Sequence, residues 1–129
     1  MYKPAITAGA IFAALAVIFG AFGAHALKEV LQPDQLQTFE TAVKYQFYHS
    51  FALLATGIIF SSFPFRQIRL ASTFFIIGIL LFSGSLYALT LLKMNGQVGL
   101  GGVGIITPIG GLFFIGGWLM LLWGVGRKK

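Results

Sequence analysis

The 129-residue chain contains no cysteine. Disulfides, thiolate nucleophiles and cysteine-ligated metals are therefore excluded from its chemistry. It is also short of charge: 9% of residues are Asp, Glu, Lys or Arg, against roughly 25% in a soluble domain. Acids are scarcest of all, with only Glu29, Asp34 and Glu40. Two histidines, His25 and His49, are the only other side chains that titrate near neutrality. The residues are 57% hydrophobic and the mean hydropathy is +0.88, which marks an integral membrane protein.

A helix needs about 20 mostly apolar residues to cross the hydrocarbon core. Four segments qualify, and they predict helices over about 5–27, 35–63, 67–92 and 108–126. The expected fold is all-α, an integral membrane antiparallel four-helix bundle forming a single domain with no room for a soluble one. In the first segment, Ala24-His25-Ala26 has the form of a signal-peptidase site, but the apolar run before it is longer than the roughly 7–15 residues of a signal h-region. The first helix is expected to stay in the protein.

The net charge of +6 raises nucleic acid as a partner, but its placement speaks for membrane orientation. Lys3, Arg66, Arg69, Arg127, Lys128 and Lys129 fall at the termini and the second loop, which four spans put on one side; Lys28, Lys44 and Lys93 fall on the other, with all the acids. By the positive-inside rule both termini are expected in the cytoplasm and the protein in the plasma membrane. Membrane lipids, a membrane-protein partner or a second copy are the expected partners, and nucleic acid is not.

Pro33-Asp34 reads as the entry to helix two, with Asp34 capping and Gln37 closing a capping box. Glu40 and Lys44, at i,i+4, form a surface ion pair. Further along, Thr41, Tyr45, His49, Ala52 and Thr56 share one stripe at 100° per residue, and that stripe is expected to face the bundle. Thr107-Pro108 has the form of a cap and first turn for helix four. Small residues recur at Gly9, Ala13, Ala16, Gly20 and Gly23, and again at Gly110, Gly117 and Gly124, as helices that approach closely require. The stretch Gly99-Leu-Gly-Gly-Val-Gly104 matches a dinucleotide-binding pattern letter for letter. That pattern has meaning only between a strand and a helix, so the segment is expected to be a loop or a partly re-entrant connection.

Polar residues gather toward the end opposite the termini: His25, Tyr45, His49, Ser85, Tyr87 and Thr107. They are the candidate ligand-binding residues of a polar pocket opening outward. An intramembrane histidine is a functional-site hypothesis by default. The competing reading is structural, with His49 bridging helix two to Ser85 or Tyr87 by a neutral hydrogen bond. No catalytic nucleophile motif, metal-ligand spacing or cofactor fingerprint accompanies these residues. The chain is read as non-enzymatic, binding lipid, a small hydrophobic ligand or a membrane partner; the alternative is a small-solute or proton-linked transporter.

Gly20-Ala-Phe-Gly-Ala-His25, Tyr45-Gln-Phe-Tyr-His49-Ser, Phe82-Ser-Gly-Ser-Leu-Tyr87 and Thr107-Pro-Ile-Gly-Gly111 with Trp118 give the chain a resemblance over nearly its whole length. It resembles a family of small four-helix membrane proteins of unknown function, the domain-of-unknown-function 423 group, also called transmembrane protein 256-like. The resemblance implies a multi-pass membrane protein and supplies no reaction.

Overall fold

A computed structural model describes residues 1–96 and 101–127. It contains four helices: α1 (Lys3–His25), α2 (Pro33–Ile59), α3 (Arg66–Met94) and α4 (Gly101–Gly126). A short 3-10 turn, Leu27–Glu29, follows α1. Helix α3 is α-helical over Arg66–Gly78 and Gly84–Met94, with a π turn at Ile79–Ser83 between them. Among the described residues there is no strand.

Three of the helices are long and apolar enough to cross a membrane on their own: α1, α3 and α4. Helix α2 is too polar to meet that measure. Its 27 residues nevertheless extend about 40 Å, and it packs against both α1 and α3. Its buried polar residues, Gln46, His49, Ser50 and Thr56, all have partners inside the bundle, as the next subsection sets out. A helix whose polarity points inward can span lipid without exposing it.

Side-chain size sets the contacts. The repeat Gly110, Gly117, Gly124 on α4 lies against Phe82, Phe75 and Ile68 on α3, which carry the same seven-residue spacing in the reverse direction. A Cβ on Gly117 would lie 2.6 Å from the Phe75 ring. On Gly110 it would strike the backbone of Phe82 itself, so α3 and α4 approach most closely at the π turn. Between α1 and α2, a Cβ on Gly9 would lie 2.8 Å from the Ser50 carbonyl, and one on Gly23 would lie 2.8 Å from the Phe39 ring. Gly20 is looser, with its nearest neighbour, Val43, at 3.4 Å. In lipid, where apolar burial does not itself drive helix association, such close packing is the main cohesive force.

The helix ends differ from the sequence expectation in two places. Helix α2 begins at Pro33, with Gln32 and not Asp34 as its cap; the Gln32 and Gln35 side chains form the capping box. Proline already occupies the first turn, where its missing N–H costs nothing, so the cap falls one residue before it. Helix α4 begins at Gly101, and Pro108 lies inside it. Thr107 is therefore a helical residue, not a cap. The glycine-rich stretch is helical from Gly101 onward, in place of the expected loop, while its first part and the labelling position Gln97 lie outside the described residues. So do Lys128 and Lys129. Helix α3 ends at Gly96, whose φ of +75° is a left-handed conformation that glycine adopts without strain.

Candidate functional site

The polar residues of the core form three separate networks. The first centres on His49, which is buried on α2. The Trp118 indole N–H donates to its Nε2 at 3.1 Å, and its Nδ1 lies 2.8 Å from the Tyr45 carbonyl. Indole and carbonyl each have one fixed role, donor and acceptor, so the ring is the neutral Nδ1–H tautomer with both nitrogens satisfied. The imidazole also lies flat on Phe114, with centroids 3.6 Å apart and planes at 9°. His49 thus ties α2 to α4, whereas the sequence suggested α3 residues as its partners.

The second network centres on Gln46, one turn earlier and 2% exposed. Its side-chain amide donates to the Phe12 carbonyl at 2.8 Å, and its carbonyl accepts from the Tyr87 hydroxyl at 2.7 Å. One glutamine therefore links α1, α2 and α3. The Tyr87 ring is in turn held between Phe19 and Phe39, with centroids at 5.1 and 5.3 Å.

The third network joins α3 to α4 through the hydroxyls of Ser85 and Thr107, with Ser85 also donating to the Phe82 carbonyl. Beside it, the Ser83 hydroxyl of the π turn donates to the Ala42 carbonyl of α2 at 2.7 Å. Among the described residues, no buried side-chain nitrogen or oxygen lacks a hydrogen-bond partner.

Of the six candidate residues, Ser85 and Thr107 meet each other, Tyr45 meets His49 through its backbone carbonyl, Tyr87 meets Gln46, and His25 stands apart, exposed at the end of α1. They do not converge on one polar pocket. Hydroxyls and amides in an apolar surrounding bond to the nearest partner on a facing helix, and here each finds one locally. Glu40 and Lys44 are exposed on α2 and line a small groove of about 160 Å³ beside Gly20 and Gly23. Among the described residues, no group of three or more His, Asp or Glu side chains could hold a metal ion.

The larger concavity is apolar. A cavity of about 620 Å³ lies toward the end opposite the termini, between α1, the 3-10 turn and the last turns of α3. Phe19, Phe22, Leu27, Phe39, Leu91 and Met94 supply most of its wall, and Tyr87 and Thr90 its only side-chain oxygens. Both are already engaged, Tyr87 with Gln46 and Thr90 with the Leu86 carbonyl. Phe22, Val30 and Leu91 are more than half exposed, so the cavity opens to one side. Of the six candidates only Tyr87 lines it.

Gln46, Trp118 and the cavity were not singled out as site features by the sequence. Gln46 had a usable signal: it lies four residues after Ala42 and three before His49, on the face that is buried. The stripe read from the sequence ran one position aside, through Tyr45, which is 38% exposed.

Residues 19–111 match the family model described as a protein of unknown function (DUF423). The chain is 44% identical to a UPF0382 membrane protein of Staphylococcus saprophyticus, over 95% of this chain and 96% of that protein. It is 38% identical to the UPF0382 membrane protein YwdK of Bacillus subtilis, over 93% and 94% of the two chains. It is 34% identical to the UPF0382 inner membrane protein YgdD of Escherichia coli, over 92% and 89%. No solved structure matches the chain.

Proposed function

The chain belongs to the DUF423 family of multi-pass membrane proteins, and on that premise we propose that it is a non-enzymatic binder of an acyl chain or a similar elongated apolar ligand, held in the cavity between α1 and α3. One observation carries the reading: a cavity of about 620 Å³ whose wall offers no free polar group. Small-molecule sites usually enclose about 300–1,000 Å³ and are mostly apolar. An apolar cavity of about 150 Å³ holds benzene, so this one has room for roughly four times as much, on the scale of a membrane acyl chain.

The absence of a chemical step follows from the same bonds. The hydroxyls of Ser50, Ser72, Ser83 and Ser85 each donate to a backbone carbonyl, and both His49 nitrogens are occupied. No serine is left for the imidazole to activate. Transport is disfavoured for a related reason: the buried polar groups bond to one another in place of lining a continuous path. The protein is proposed to act in the plasma membrane with both termini cytoplasmic, since Lys3, Arg66, Arg69 and Arg127 share one end and the acids the other.

Ala26, an exposed wall residue, gives the test. Native mass spectrometry of the protein in mild detergent is expected to show a co-purifying ligand of acyl-chain mass. Ala26→Trp, which fills the cavity from its rim, should remove it while leaving the helical circular dichroism unchanged. A folded wild-type protein that carries nothing and takes up no added phospholipid would refute the proposal.

A further inference from the structure

The end that carries the termini has a different chemistry from the cavity end. Four cationic side chains reach it from separate parts of the chain. Lys3 is set by the Tyr2 backbone N–H, which donates to the Gly57 carbonyl at 2.8 Å and pins the N-terminal segment to the end of α2. Arg66 and Arg69 lie one turn apart at the start of α3, both exposed. Arg127 follows α4, with its guanidinium carbon 4.8 Å from the centre of the Phe65 ring and a hydrogen bond to Gln67 at 3.1 Å.

No acidic side chain opposes them. Glu29 lies in the 3-10 turn and Asp34 and Glu40 in the first turns of α2, at the far end of the bundle. The cations are therefore segregated from every carboxylate side chain by the length of the helices. Arg127 is also held in place by an aromatic face and an amide, which leave its charge uncompensated.

From this segregation we infer that the terminal end is a docking surface for anionic phospholipid headgroups of the leaflet it faces. Clusters of lysine and arginine at a membrane surface attract acidic lipids, each charge contributing about fivefold in affinity. The complementarity favours phosphodiesters over nucleic acid, because the cations ring the emerging helices at headgroup depth and do not project as a basic arm. The surface is independent of the acyl-chain cavity at the other end, and either reading can fail without the other.

The test uses the full chain in nanodiscs containing equal amounts of phosphatidylglycerol and phosphatidylcholine, followed by transfer to mild detergent and native mass spectrometry. Phosphatidylglycerol should be retained preferentially, and less so as salt rises. Arg66→Gln with Arg69→Gln should lower that preference roughly 25-fold, two charges at about fivefold each. Arg66→Lys with Arg69→Lys should keep most of it, and Lys28→Gln with Lys93→Gln, at the cavity end, should leave it unchanged. If the paired glutamine variant inserts poorly, Arg127→Gln alone gives the single step of about fivefold. Equal retention of the two lipids, loss that is the same for the Lys28/Lys93 variant, or displacement of the lipid by an equimolar oligonucleotide would each overturn the inference.

Discussion

Replacing Gln46 by leucine tests the most connected polar residue of the bundle. The change keeps the approximate volume and removes both of its hydrogen bonds, to the Phe12 carbonyl and from the Tyr87 hydroxyl. The two losses are unequal. The Phe12 carbonyl lies within α1 and already accepts a helical N–H, so it forfeits only a second bond, whereas the Tyr87 hydroxyl loses its one partner in the protein. Interhelical hydrogen bonds in membrane proteins average about 0.6 kcal/mol and reach about 1.7, and stranding a polar group adds about 1–3. Gln46→Leu is thus expected to destabilise the bundle by about 2–3 kcal/mol, and Tyr87→Phe by about 1–1.5. In the double variant the stranded hydroxyl is gone, so the combined loss should fall about 1 kcal/mol short of the sum. Unfolding by added SDS, followed by the fluorescence of Trp118 and Trp123, measures all three. Additive losses, or a Gln46→Leu protein as stable as the wild type, would refute the role of Gln46 as a link between three helices.

Gly117→Leu should destabilise by at least about 2 kcal/mol through overpacking against Phe75, Gly20→Leu by much less because its neighbour stands at 3.4 Å, and Phe51→Leu hardly at all because Phe51 is 56% exposed; the same SDS titration ranks them. His49→Leu and Trp118→Phe each break the α2–α4 bond and should cost about 1 kcal/mol or more, with the double variant no worse than the poorer single one; equal stability of all three with the wild type would remove the histidine as a tie. In this cysteine-free chain, Lys28→Cys should react in whole cells with a membrane-impermeant maleimide, and Ser62→Cys only after lysis; the reverse pattern would invert the proposed orientation.

The sequence discloses most of the architecture because lipid imposes simple rules. Length and apolarity mark the spans, and small residues at regular spacing mark the close approaches, as Gly110, Gly117 and Gly124 do. Local chemistry was less legible. Thr107-Pro108 has the form of a helix start, yet a proline can lie inside a membrane helix whose neighbours compensate for its missing N–H. The cap of α2 was displaced by a single residue for the reason Pro33 supplies. Of the site, the polar residues were legible as a set but their pairing was not, because it depends on helix rotation. A shift of one residue is 100°, enough to favour Tyr45 over its neighbour Gln46. The cavity could not be read at all. Its wall comes from α1, the 3-10 turn, α2 and α3, and the gap among them exists only after packing.

The π turn at Ile79–Ser83 acts on α3 as a leap day acts on a calendar. It takes up one residue without advancing the helix by its usual angle, and everything downstream is read in the corrected phase. Ile68 and Phe75 keep time with the glycines of α4 before the correction; Ser85, Tyr87 and Thr90 take their directions after it. Strike out one residue between Ile79 and Ser83 and the α-helix runs on uncorrected, carrying the last eleven residues of α3 about 100° out of phase. Tyr87 would then point away from Gln46 and Ser85 away from Thr107, although no residue outside the turn had changed. For this family, an alignment gap at that place is a rotation and not a shortening.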